Sequence, residues 1–290
     1  MTALEERQRE LSHLVHMVAK GMSDGLFIFG AGGGLGKSET VRRTLGKEGI
    51  TPVTINSHAT ALGMYQTLYE NRSGKVIFID DADSMYSDMK VLGLLRSALW
   101  GSPRMVTYTS SQLPEELPQS FVFESAIIMA ANEIPKKSAA FKATLSRIDT
   151  FELKASNEEV LEFMRVIALE KGYPGVLSSE VMAVIDFFES EAGNRQLSLR
   201  LLELSCKKVL YAREVGLDWR DLVRTQLHTL GERTFSDEVD SAAHDLECMR
   251  RAFEEHPDSA RQQQAYWMKL TSKSRATYFR IKKQYQNQQA

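Results

Sequence analysis

The sequence of 290 residues predicts an α/β protein whose core is a parallel sheet covered by helices on both faces, followed by a helical region and a short helical C-terminal domain. Two observations predict this. Three runs are apolar at every position, Leu26-Phe27-Ile28-Phe29, Val76-Ile77-Phe78-Ile79 and the stretch 126–131, and they alternate with stretches of helical periodicity, as strands buried on both faces do. From Asn157 to Leu230 the pattern is helical without interruption, so the alternation stops near Ser156.

The elements follow in order. Leu11, Leu14, Val15 and Val18 give the first helix its apolar stripe, and Ser23-Asp24-Gly25 ends it before the first strand. After a glycine-rich loop a second helix opens at Lys37; Val53-Thr54-Ile55 is a short strand, and 60–71 returns to helical spacing. In that helix Ala61, Tyr65, Leu68 and Tyr69 share one face, which reads as packing rather than as an aromatic grip on a substrate. The strand 76–79 ends in two aspartates, 89–100 is an amphipathic helix, 105–109 is extended, and the strand 126–131 ends at Asn132. Residues 148–153 make the last strand. The resulting domains are an N-terminal helix (1–24), an α/β core (25–156), a helical region (157–233) and a C-terminal helical domain (234–290).

Composition narrows the classes. A formal net charge of −2 excludes a polyanion binder over the whole surface, though not a local basic segment. Cys206 and Cys248 have no neighbour at zinc-ligand or redox spacing, which argues against a disulfide framework or zinc finger and fits a reducing cytoplasm. The N-terminus is charged and helical, and no apolar run approaches the ~18 residues of a membrane span, so no membrane partner is expected.

The chemistry starts at Gly30-Ala31-Gly32-Gly33-Gly34-Leu35-Gly36-Lys37-Ser38, which fits the Walker A pattern with alanine at its first position. Glycines allow successive backbone N–H groups to converge on phosphate oxygens, and the next helix, with Glu39 in its first turn, presents its positive end. Lys37 is placed to reach the β and γ phosphates of ATP, and the Ser38 hydroxyl to bind Mg²⁺. Asp80, ending a buried strand, is the carboxylate expected to hold the Mg²⁺ water shell. Asp81 would orient the attacking water; alternatively it or Asp83 caps the next helix.

Read together, the loop from Ala31 to Ser38, Ile77-Phe78-Ile79-Asp80-Asp81-Ala82-Asp83, Asn132 and Leu145-Ser146-Arg147 resemble the AAA+ ATPases in order and spacing, over about residues 25–211. The resemblance implies a P-loop three-layer core, an α-helical lid after it, and an ATP site shared between subunits of a homo-oligomer. By it, Asn132 looks like sensor 1, with a turn role as the alternative, and Arg147 looks like the arginine finger acting on a neighbour's nucleotide, with a surface ion pair as the alternative. The sensor 2 arginine is Arg200 or, failing that, Arg195. The family usually carries glutamate where this chain has Asp81, one methylene shorter, which makes slow hydrolysis or use as a nucleotide switch an open alternative.

Beyond Thr234 the charge separates: 237–255 is acidic, whereas 261–283 has only basic charges. Three helices are expected, at 240–253, 259–270 and 273–285. The stretch 271–280 resembles the recognition helix of bacterial helix-turn-helix DNA-binding domains, with Ala276 at its packed position. By that resemblance Ser274, Arg275, Thr277, Tyr278 and Arg280 face DNA, with Lys273, Lys282 and Lys283 on its backbone. The rival is a basic helix packed on the lid or a partner protein. The sequence thus reads as an ATPase acting on DNA, in the manner of phage or plasmid replication proteins, helicase loaders and transposition ATPases, with a helicase or transposase as a candidate protein partner. A nucleotide-gated binding switch and a protein remodeller are the rival readings.

Overall fold

The computed structural model describes residues 1–30, 33–56, 58–81, 85–86, 88–132, 139–193, 195–229, 248–257, 259–271, 277–279, 281–282 and 285. The chain divides into two compact units, Met1–Leu230 and Gly231–Ala290.

The first unit is built on a five-stranded parallel sheet of β1 (Gly25–Phe29), β2 (Val53–Asn56), β3 (Val76–Asp80), β6 (Ala126–Ala130) and β7 (Asp149–Glu152), in the order β2-β3-β6-β1-β7. The central strands β3, β6 and β1 are buried almost throughout, whereas the edge strands β2 and β7 are part-exposed, which explains why only the central three are uniformly apolar. Successive side chains leave a strand on opposite faces. Accordingly Leu26, Ile28, Phe78 and Ile128 enter one core with α1 (Ala3–Ala19), α2 (Lys37–Lys47) and the later helices. Phe27, Ile77, Ile79 and Ile127 enter another with α3 (Ala61–Glu70), α4 (Met89–Leu99) and α5 (Ala139–Leu145). Each fully buried aliphatic or phenylalanine side chain contributes about 1.5–3 kcal/mol. Tyr65 and Leu68 of α3 are buried in this second core, as packing residues.

The extended segment near residue 105 forms β4 (Met105–Thr107), which pairs antiparallel with β5 (Ser120–Val122) in a separate two-stranded sheet. Helices α6 (Asn157–Glu170), α7 (Ser178–Glu191), α8 (Leu199–Val215) and α9 (Trp219–Thr229) complete the unit. Ser156 opens α6 with a capping box to Glu159, and Ser198 caps α8 through Leu201 N–H. Among the described residues no helix is long and apolar enough to cross a membrane.

In the second unit, 248–255 is helical, followed by the helix Ala260–Thr271 and helical residues at 277–279 and 281–282. Cys248, Met249, Ala252, Trp267, Tyr278 and Ile281 form its core. The buried Gln263 amide donates to the His256 carbonyl at 2.8 Å and so fastens the turn between the first two helices.

Candidate active site

The end of β1 leads into the glycine-rich loop, and the loop into α2. Gly34 and Gly36 have φ of 87° and 90°, in the left-handed region where a side chain is strained; Gly36 is the N-cap of α2. The Leu35 side chain is anchored in the core, so the loop is held between two positive-φ glycines and a buried leucine. Lys37 is buried, and its Nζ donates to the Gly30 carbonyl at 3.0 Å and to Asn132 Oδ1 at 3.4 Å. Ser38 Oγ donates to Asp80 Oδ1 at 2.7 Å, which joins the start of α2 to the end of β3.

These groups surround a cavity of about 390 Å³ lined by Gly33, Gly34, Gly36, Lys37, Ser38, Glu39, Arg42, Asp81, Asn132 and Arg200. Residues far apart in sequence, predicted for one task, thus face one space. Asp81 has φ of 51°, left-handed for a residue with a side chain, and its carboxylate is exposed toward the cavity. The N-cap of α4 is Asp88, whose carboxylate accepts from Lys90 and Val91 N–H, so Asp81 does not have that capping role. A side-chain carbon at Gly33 would lie 3.7 Å from Arg200 Nη1 and 3.9 Å from Asn132 Oδ1, a measure of how closely these groups converge. Of the two sensor 2 candidates, Arg200 lines the cavity; the Arg195 carbonyl instead accepts from the Asn157 side chain at 2.8 Å.

Arg147 lies away from the cavity, its Nη1 donating to the Arg96 carbonyl at 3.4 Å and its guanidinium 6.0 Å from the ring centroid of the exposed Trp100. Two contributors to the site are absent from the sequence reading. Arg42 donates to Asp80 Oδ2 at 2.7 Å, and the buried Gln8 amide of α1 donates to the Leu35 carbonyl at 2.8 Å. Their signals are faint: Arg42 is one helical turn past Ser38, and Gln8 interrupts the Leu4, Leu11, Val15 stripe at a core position. Next to Gln8, Arg7 makes a two-pronged ion pair with Glu159 of α6, at 2.9 and 2.7 Å, so α1 links the loop to the helical region.

Tyr278, expected on a DNA-facing side, lies elsewhere. Its ring is 1% exposed and packs against Trp267 with centroids 5.7 Å apart, so it belongs to the core of the second unit and not to a DNA-facing surface. The neighbouring Phe279 is 52% exposed instead. Lys282 lies with its ammonium 5.0 Å from the Phe253 ring centroid and donates to Gln263 at 3.3 Å. Thr277 is half-buried in the same helical stretch. Ala31, Gly32, Asp83, Lys273, Ser274, Arg275, Arg280 and Lys283 lie outside the described residues.

A glycine-rich loop at the end of β1, a buried carboxylate at the end of β3 and a helical region after the parallel sheet are the arrangement of the AAA+ P-loop fold. Among solved structures it is similar to Thermotoga maritima RuvB, described as a Holliday junction branch migration motor, with a TM-score of 0.51 and 15% identity over 89% of this chain and 78% of that one. The FIGL-1 AAA domain in complex with ADP matches with a TM-score of 0.51 and 14% identity, over 84% of this chain and 87% of that domain. By sequence the chain is 31% identical over 140 residues to an uncharacterized 36.7 kDa protein of Enterobacteria phage T4 from the nrdC-mobD intergenic region. That match spans 45% of this chain and only 42% of the phage protein, less than half its length. No protein-family model matches the chain.

Proposed function

We propose that the chain binds ATP with Mg²⁺ in this cavity, hydrolyses it, and works on DNA as a homo-oligomer of the replication, helicase-loading or transposition type. The observation that carries the reading is the convergence of Lys37, Ser38, Asp81, Asn132 and Arg200 on one cavity, with Ser38 bonded to Asp80. The donor set fits the metal: a hydroxyl and a carboxylate 2.7 Å apart are hard oxygen ligands of the kind Mg²⁺ takes beside phosphates. When bound, Mg²⁺ offsets phosphate charge. Lys37 and the backbone N–H groups of the loop hold the phosphates, and Arg200 reaches them from α8. Asp81 and Asn132 flank the place where water attacks, the carboxylate taking its proton and the amide fixing its position.

Arg147 is proposed to serve the adjacent copy, because it lies outside its own chain's cavity, half-buried with its guanidinium beside the exposed Trp100. DNA as the partner is supported by the basic run 261–283 and by the likeness to RuvB, itself described as a branch migration motor. In the tail, Thr277 and Lys282 remain proposed contacts, with Lys273, Ser274, Arg275, Arg280 and Lys283. The phage T4 relative supports a role in a phage-infected cell; a cytoplasmic location and a helicase or transposase as protein partner are part of the proposal. A second reading, a nucleotide switch with little turnover, is favoured by the carboxylate of Asp81, one methylene shorter than the glutamate usual in the family it resembles.

Mixing two inactive full-length variants tests the shared site. Arg147→Ala supplies intact Asp81, and Asp81→Asn supplies intact Arg147; together they should recover up to a quarter or so of parental ATP hydrolysis, as random pairing across an interface allows. A mixture as inactive as its components would rule out hydrolysis at a shared site. Binding to duplex DNA that weakens steeply with salt is expected of the full chain, and salt-independent binding would count against the tail.

A further inference from the structure

Asp80 is only 6% exposed, and both of its oxygens are engaged, Oδ1 by Ser38 and Oδ2 by Arg42. A carboxylate withdrawn from water is costly unless an opposite charge faces it. Arg42 supplies that charge. It stands four residues after Ser38 on α2, so a single helix face presents both partners to the end of β3. Its guanidinium also lies 5.3 Å from the ring centroid of Phe78, which shares a face of β3 with Asp80 two residues on. Yet the Arg42 side chain is 46% exposed and lines the cavity, so it can swing away without disturbing either core.

We infer that Arg42 is a stand-in cation: it neutralises Asp80 and competes with Mg²⁺ for that carboxylate. The inference rests on reading the cavity as a nucleotide and Mg²⁺ site. It follows that the affinity for the divalent ion is set by Arg42 as well as by Ser38 and Asp80. A guanidinium that merely held the carboxylate in place would have the opposite signature, because its loss would weaken metal binding instead of strengthening it.

The test is a Mn²⁺ titration of the full chain saturated with ADP, with the free ion read by its electron paramagnetic resonance signal and ADP alone as the blank. Arg42→Gln keeps an N–H donor for Asp80 but carries no charge. It should tighten the Mn²⁺ Kd on the order of 10-fold, the scale on which a unit charge a few ångströms away acts on a divalent ion in a solvated site. Arg42→Lys keeps the charge and should stay within about 3-fold of the parent. If ADP binds to parent and Arg42→Gln alike while their Mn²⁺ affinities coincide, or if the variant binds the ion more weakly, the stand-in role is overturned. A folded parent that takes up no ADP would instead remove the nucleotide site, and the Arg42 inference with it.

Discussion

The backbone N–H of Leu199, the first residue of α8, donates to the carbonyl of Gly34 in the phosphate loop at 2.9 Å. A main-chain bond therefore joins the helical region to the loop, with Arg200 one residue further on facing the cavity. On the proposed function, a shift of the loop as phosphates enter would be passed directly to α8 through this bond. That coupling is how occupation of the cavity would become movement of the helices.

Gly34→Ala tests this junction. A Cβ there would stand 3.0 Å from Ser198 Cβ and 3.1 Å from Arg200 Cβ, at a backbone φ of 87°. The strain costs about 1–2 kcal/mol, visible in urea unfolding, and pushes α8 off the loop. ADP affinity should fall on the order of 10-fold or more in the same protein.

Gln8→Leu leaves the buried Leu35 carbonyl without its donor at nearly constant side-chain volume. The expected loss is about 1–3 kcal/mol in urea unfolding, together with weaker ADP binding, because the last turn of the loop is no longer fixed from behind. Unchanged stability would mean that the amide does not hold the loop.

The neighbouring pair, Arg7 and Glu159, gives a pH dependence. The hydrogen bond from Arg7 holds the Glu159 carboxyl below its ordinary range. A depressed carboxylate stabilises the fold fully above its unfolded pKa, and that contribution disappears as pH falls through the folded value. Arg7→Ala should therefore cost up to ~1 kcal/mol near neutrality, and the difference from the parent should vanish in acid. Unfolding midpoints compared across a pH series give the result directly.

Asp81→Asn separates binding from turnover. Asparagine accepts the left-handed φ of 51° as readily as aspartate, so the backbone is kept while the proton acceptor is lost. ATP hydrolysis should drop by about 100-fold or more, with ADP affinity within about 3-fold of the parent. An equal rate in the variant would show that Asp81 does not act on the water.

The sheet was legible where strands are buried on both faces: β1, β3 and β6 announce themselves as uninterrupted apolar runs. β5 did not, because three residues with a single buried Phe121 carry no period. In the site, Lys37, Ser38 and Asp80 are tied to one chemistry by local sequence. Arg42 and Gln8 act through tertiary neighbours, Asp80 and the Leu35 carbonyl, that no local pattern reveals. Tyr278 was expected to face DNA from a resemblance to a recognition helix, which does not fix which aromatic side chain packs inward. Phe279 is the exposed one of the two neighbours, whereas Tyr278 completes the core around Trp267.

Calorimetric titration of ADP and Mg²⁺ into the full chain and into Lys37→Ala tests the central claim most directly. One saturable site is expected in the parent, with binding at least ~100-fold weaker in a Lys37→Ala protein of unchanged circular dichroism, since a buried ammonium within the loop is then missing. A folded parent that gives no binding heat at any temperature tried, or a Lys37→Ala protein that binds as tightly as the parent, would contradict the account.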